Sequence, residues 1–280
     1  MKIFAIGDFH GKFPKKLEKE AKKCDLVVSV ADYTPFSLKR VFFKHCYKTD
    51  VDLWEVVGKR KYKEIILKDL RKGEKVLKKL NNLSVPVITT IGNYDKTQII
   101  DAHDLKKIKG WKWDEQDFFA SMIKKYKNIK RFDYKYVKFK DLIFIGGYGG
   151  SYPGEVRSKN YKKYKKKLDN LFKKFKKENK NKKLIFVFHN VPYNTKLDKI
   201  KDKNAPKVVK GKHYGSKLIR RIINKYQPIL GIGGHMHENQ GKDKIKKTLI
   251  INTGAAFEGK AVVIDFDEEK GRVKKVQFIK

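Results

Sequence analysis

Short apolar runs alternate along this chain with lysine-rich segments whose apolar residues recur every three or four positions. The runs cover residues 2–6, 26–30, 85–91, 142–145, 184–188, 229–232, 249–251 and 261–266. Continuous apolar runs of this length suit strands buried on both faces. Residues 14–24, 62–83 and 161–175 have helical period. In the last, Tyr161, Tyr164, Leu168, Leu171, Phe172 and Phe175 make one apolar face against a back of lysines. That spacing predicts a core-facing helix, with the lysines as its solvated side. Strand–helix alternation early and strands late, from about Leu249, predict an α/β fold with some antiparallel pairing. No repeat, linker or composition break divides the 280 residues, so a single domain over 1–280 is expected. The connections 33–61 and 101–127 have little strand character and read as substrate loops or helical decoration.

Composition changes this picture in two places. No apolar run is long enough to span a membrane, and the mean hydropathy is −0.64. The N-terminal run ends after a few residues at Gly7-Asp8 and lacks the length of a secretion signal, so the cytoplasm is the expected address. The charge is unusual, with 69 Lys and Arg against 31 Asp and Glu, a formal net of +38. Because the lysines are spread along almost the whole chain, they read first as a lysine-rich surface habit. A basic stripe tracking a nucleic acid is the competing explanation. Cys24 and Cys46 stand in no C-x-x-C pair and read as small semi-buried thiols.

Candidate chemistry gathers at the ends of the predicted strands. Asp8-Phe9-His10 follows the first, Asp32 the second, and Gly92-Asn93-Tyr94-Asp95 the run 85–91. His189 follows 184–188, and Gly234-His235-Met236-His237 follows 229–232. Each alone has a structural explanation as a turn or cap. Together they matter more, because ligands of open α/β sheets collect outside the carboxyl ends of strands. Four of the seven histidines lie in these motifs. A shell of carboxylate, imidazole and amide suits Mn, Fe, Zn, Ni or Co, and disfavours calcium or a thiolate-seeking metal. Two cations about 3.5–4 Å apart are a known catalyst of displacement at phosphorus.

The series D-x-H, Asp, G-N-x-D, H-x-x-P and G-H-x-H resembles the calcineurin-like metallophosphoesterase superfamily. Here it reads Asp8 to His10, Asp32, Gly92 to Asp95, His189 to Pro192 and Gly234 to His237. The stretches His213-Tyr214-Gly215-Ser216-Lys217, 234–241 and Asn252-Thr253-Gly254 further resemble an Icc-related branch of mainly prokaryotic phosphoesterases. The resemblance implies a four-layer α/β/β/α sandwich of two mixed β-sheets. It implies two divalent metal ions, manganese foremost, with iron, zinc, nickel or cobalt as alternatives. Asp8, His10 and His237 would hold one, and Asn93, His189 and His235 the other, with Asp32 bridging. The implied reaction is hydrolysis of phosphomonoesters or phosphodiesters by in-line attack of a bridging hydroxide, on a small phosphoester substrate with a nucleotide among the alternatives.

Tyr94 and Asp95 stand where the family has its catalytic His-Asp pair. Tyr94 replaces that His, and its neutral hydroxyl implies a slower enzyme that favours acidic leaving groups. Ala31 replaces the usual Gly before the bridging Asp, at little expected cost. Asn93, Tyr94, His213 and Ser216 are candidate substrate contacts, Ser216 alternatively capping a helix over 217–226. A nuclease, or a catalytically silent scaffold module on the same fold, are the competing functions.

Overall fold

The computed structural model describes residues 1–47, 49–97, 111–150, 155–201 and 209–280. Twelve strands among the described residues form two six-stranded sheets. The first contains β1 (Lys2–Ile6), β2 (Leu26–Ser29), β3 (Val87–Thr89), β4 (Ile129–Arg131), β11 (Ala261–Asp267) and β12 (Arg272–Ile279), in the order β12-β11-β1-β2-β3-β4. The second contains β5 (Tyr136–Phe139), β6 (Leu142–Gly146), β7 (Leu184–Asn190), β8 (Leu230–Gly234), β9 (Gly241–Ile245) and β10 (Thr248–Asn252), in the order β5-β6-β7-β8-β10-β9. β1 to β4 run parallel, as do β6, β7, β8 and β10. The β11–β12 hairpin and the strands β5 and β9 add antiparallel edges, so both sheets are mixed.

The side-chain period of a strand explains the layering. In β1, Ile3 and Ala5 enter one buried cluster, while Phe4 and Ile6 enter another. In β7, Ile185 and Val187 join the first cluster, while Leu184, Phe186 and Phe188 join the second. The first cluster draws on strands of both sheets and is the layer between them. The second lies under the helices. Central strands are therefore apolar on both faces, which is why they read as unbroken runs.

The helices are α1 (Lys15–Ala21), α2 (Lys39–Val41), α3 (Leu53–Val57), α4 (Lys59–Asn81), α5 (Phe118–Ile123), α6 (Lys159–Lys174), α7 (Lys176–Lys180) and α8 (Lys217–Tyr226). A π-helical turn, Phe42–Cys46, continues α2. α6 buries Tyr161, Tyr164, Leu168 and Phe172, so its aromatic face is core. α4 buries Tyr62, Ile66, Leu70, Gly73, Leu77 and Leu80 along one side. At Gly73 a Cβ would stand 2.5 Å from Thr34 Cγ2, so α4 presses directly on the loop that follows β2.

The segment 33–61 is largely helical, holding α2, the π turn, α3 and the start of α4. Of the connection 101–127, residues 101–110 lie outside the described residues, and α5 occupies part of the remainder. No helix among the described residues is long and apolar enough to cross a membrane.

Candidate metal centre

The carboxyl ends of β1, β2, β3, β7 and β8 deliver five loops to one place. Backbone hydrogen bonds fasten the first two together. Asp8 N donates to Ala31 O at 2.8 Å, Phe9 N and His10 N to Asp32 O at 2.8 and 3.0 Å, and Gly11 N to Tyr33 O at 2.8 Å. The third loop is tied in by Asp95, whose carboxylate accepts from the amides of Asp32, Tyr33 and Gly92 at 2.9–3.1 Å. Asp32 Oδ1 in turn accepts from Tyr94 N at 2.8 Å, and Asp8 Oδ2 from His235 N at 2.8 Å. His189 lies inside β7 rather than after it, and the β7–β8 register shifts between Val187 and Asn190.

Five non-glycine residues here have left-handed φ: Asp8 (+54°), His10 (+45°), Ala31 (+73°), Asp32 (+53°) and His235 (+69°). Strain of this kind persists where surrounding contacts over-determine the backbone, commonly at functional sites. It corrects one expectation, since Ala31 does carry a cost, about 1–2 kcal/mol for a side chain held left-handed. Two glycines make room for the carboxylates. A Cβ on Gly92 would fall 2.1 Å from Asp32 Oδ1, and one on Gly234 would fall 2.5 Å from Asp8 Oδ2.

The side chains converge in two groups. In the first, His10 Nε2 and His237 Nε2 are 3.2 Å apart, and Asp8 Oδ1 is 3.3 Å from His237 and 3.9 Å from His10. In the second, His189 Nε2 lies 2.7 Å from Asn93 Oδ1, 3.1 Å from His235 Nδ1 and 3.5 Å from Asp32 Oδ2. His235 Nδ1 and Asn93 Oδ1 are 2.8 Å apart. His189 Nδ1 donates to the Val30 carbonyl at 2.8 Å, so Nε2 keeps its lone pair. At most one proton can then sit among His189 Nε2, His235 Nδ1 and Asn93 Oδ1. Lone pairs packed this closely repel unless a cation lies between them. Ligand atoms on one divalent ion with bonds of about 2.1 Å stand about 3.0 Å apart across a right angle. Asp8, His10 and His237, and Asp32, His189 and His235, are accordingly two groups able to hold a metal ion.

Burial and mutual charge set the protonation. Burial pushes His10 down to about 4 despite Asp8 beside it. Burial and the neighbouring His189 push His235 down to about 3, and burial lowers His189 as well. Their rings are therefore neutral near pH 7, the state that binds a metal. Burial alone would lower His237, but the charge and hydrogen bond of Asp8 outweigh it and raise it. For Asp8 burial works upward, and His237, His189 and His10 override it, holding the carboxyl below its usual range. Asp32 is raised by burial and by Asp8, a repulsion that a cation between the two would remove.

The sequence model of the metallophosphoesterases of the calcineurin superfamily matches residues 113–276, more than half of the chain. The chain belongs to that family. The matched region contains His189, His235 and His237, whereas Asp8, His10, Asp32 and Asn93 lie before it and join them through the fold. This metallophosphoesterase is 28% identical over 261 residues to the uncharacterized protein MJ1162 of Methanocaldococcus jannaschii, covering 90% of this chain and 87% of that one. Among solved structures it resembles TT1561 of Thermus thermophilus, with TM-score 0.54 and 14% identity over 99% of this chain and 97% of that one. It also resembles a dimetal phosphatase of Danio rerio, with TM-score 0.52 and 10% identity over 100% of this chain and 96% of that one. Those two likenesses are of fold alone. The fold is that of the metallo-dependent phosphatases, as expected.

The remaining candidate residues of the metallophosphoesterase divide. Tyr94 lies at the centre, its ring 5.1 Å from that of His10 and 5.0 Å from that of Phe36. Asp95, expected among the catalytic groups, has its carboxylate engaged by backbone amides. It is 2% exposed, both of its oxygens accept backbone amides, and burial with Asp32 nearby pushes it up to about 7. Ser216 takes the capping alternative: it is fully buried and accepts from Ile219 N at 3.3 Å at the start of α8. His213 Nδ1 faces Asp198 Oδ1 at 2.7 Å and is not among the seven converging side chains. Sequence reasoning misses Asp198, which is fully buried and gathers the amides of Asn194, Thr195 and Gly215. Its signal is the Asn194-Thr195 turn three residues ahead of it. Phe257, whose ring is 5.1 Å from His10 and 5.4 Å from His237, carries no signal at all.

Proposed function

We propose that this metallophosphoesterase hydrolyses phosphate esters with two divalent cations, one held by Asp8, His10 and His237, the other by Asn93, His189 and His235, and Asp32 shared. The observation that carries the reading is the pair of lone-pair clusters, above all His189, whose proton is turned away to Val30 while Nε2 faces Asn93 and His235. Two bound cations would supply Lewis acidity, lowering the pKa of water and neutralising charge on the phosphoryl oxygens. Everything else is the chain's own work. Buried, neutral His10, His189 and His235 present lone pairs without first losing a proton. The Tyr94 amide fixes the Asp32 carboxylate, and Asp95 fixes the loop that carries Asn93 and Tyr94. A tyrosine hydroxyl, with a reference pKa of about 10, gives a leaving oxygen less help than an imidazolium. Esters with acidic leaving groups are therefore its best substrates.

The test is hydrolysis of p-nitrophenyl phosphate, bis(p-nitrophenyl) phosphate and cyclic nucleotides by protein reconstituted with manganese, beside His189→Ala. Turnover by the native protein that disappears in the variant is expected. Manganese-loaded protein that cleaves none of these esters would refute the reading.

A further inference from the structure

A file of aromatic rings leaves the metal centre along the segment that follows Asp32. His10 packs on Tyr94 with ring centroids 5.1 Å apart, Tyr94 on Phe36 at 5.0 Å, and Phe36 on Phe42 at 5.8 Å. Phe42 continues to Phe43 at 5.4 Å, and Phe43 to Tyr47 at 5.4 Å. The file ends where the Tyr47 hydroxyl meets that of Tyr214 at 3.3 Å. Phe36 and Tyr214 rest on the core beneath the helices, but Phe43 is 48% exposed. Phe43 therefore leaves part of its ring open to solvent beside its aromatic neighbours. The backbone that presents it is the π-helical turn Phe42–Cys46, a geometry that is uncommon and concentrated at functional sites.

Charge narrows what such a surface could hold. No Asp or Glu occurs between Asp32 and Asp50, while Lys39, Arg40 and Lys44 are exposed on this segment. Rings interleaved with cations suit a ligand that is planar at one end and anionic at the other.

We propose that Phe36, Phe42, Phe43 and Tyr47 form a stacking platform for the nucleobase of a nucleoside phosphate ester whose phosphate lies at the metal centre. The proposal rests on the phosphoesterase reading above and adds the substrate class to it. Stacking is tolerant of base identity, because every base has a π face. The platform therefore selects for a base without reading which one.

The test compares thymidine 5′-(p-nitrophenyl phosphate) with methyl p-nitrophenyl phosphate, which share leaving group and reacting phosphorus and differ in the nucleoside. The native protein is expected to favour the thymidine ester in kcat/KM by about tenfold or more. Phe43→Ala is expected to lower that ratio about tenfold, and Phe43→Trp to retain it. A ratio near one in the native protein, or one that Phe43→Ala leaves unchanged, overturns the platform.

Calorimetry on the manganese-loaded protein decides the matter independently of turnover, using adenosine 5′-monophosphate against ribose 5-phosphate. Equal affinities overturn the platform. A preference for the adenosine ligand with neither ester cleaved would sink the hydrolase and leave the platform standing. A 5′-phosphorylated tetrathymidylate that binds tighter than thymidine 5′-monophosphate supports the platform as a seat for a strand end. Equal binding of those two supports it as a mononucleotide seat.

Discussion

At His189 three neighbours define one ring. The Val30 carbonyl takes the Nδ1 proton at 2.8 Å, and Nε2 is left facing Asn93 and His235. Replacing the ring removes a lone pair from the centre of the second group. Isothermal titration of His189→Ala with manganese is expected to show one site lost or weakened by at least about tenfold, as outer partners alone are worth about 10–100-fold. Gly92 is a stricter test of the site's crowding. Gly92→Ala would drive a methyl to 2.1 Å from Asp32 Oδ1, so the loop must shift. The expected cost is about 1–3 kcal/mol in urea unfolding, with weakened manganese binding. Tyr94→His restores a titratable ring beside His10. A gain of about 10²-fold on esters of poor leaving groups is expected, and no gain on any ester would discard the role given to Tyr94.

One buried acid, Asp169, ties α6 to α8 alongside the apolar contacts between them. Asp169 accepts from Tyr226 at 2.6 Å, and from Lys165 and Lys225 at 3.0 Å each. Burial works upward on its carboxyl, but those three hydrogen bonds prevail and hold it at about 2. Because the folded value lies below that of the unfolded chain, about 3.9, the stabilisation is complete above that value. It is lost as pH falls towards 2. Asp169→Asn is therefore expected to lower the urea midpoint most at pH 7, with the gap closing as pH approaches 2. A gap independent of pH would show that the acid acts through packing alone.

Element boundaries show which signals the sequence carries. β1 and α8 coincide with their expected spans, since an unbroken apolar run and a strong apolar face have no competitor. The strands β4, β5, β9 and β12 lie outside the expected runs. They are edges or end strands with alternating exposure, and lysines on the open side hide the period of two. The run 85–91 shortens to β3, Val87–Thr89, because its ends turn into the site loop and the approach to it.

For the molecule as a whole, a ligand that binds only the folded state stabilises it by mass action. Manganese at about 100 times its dissociation constant should contribute about 2.7 kcal/mol, and thermal unfolding should shift upward by several degrees. Chelation should reverse the shift, and a Tm indifferent to both would deny the centre any metal. The formal charge of +38 gives no comparable focus, because its lysines coat helix backs such as that of α6 as well as the segment beside the centre.

The sequence by itself determined the five strand-end motifs, the run of two-faced strands and the helix faces, all of which follow from local spacing and residue chemistry, while the choice of seven ligands among those motifs rested on the family resemblance. Only the tertiary structure decided which atoms those residues offer. It turned Asp95 towards three amides, buried Ser216 at the start of a helix, twisted Ala31 left-handed and set Tyr94 at the head of an aromatic file. Local pattern can say that a side chain must find a partner. Which partner it finds depends on loops from distant strands arriving together, and that is fixed by the packing of two sheets.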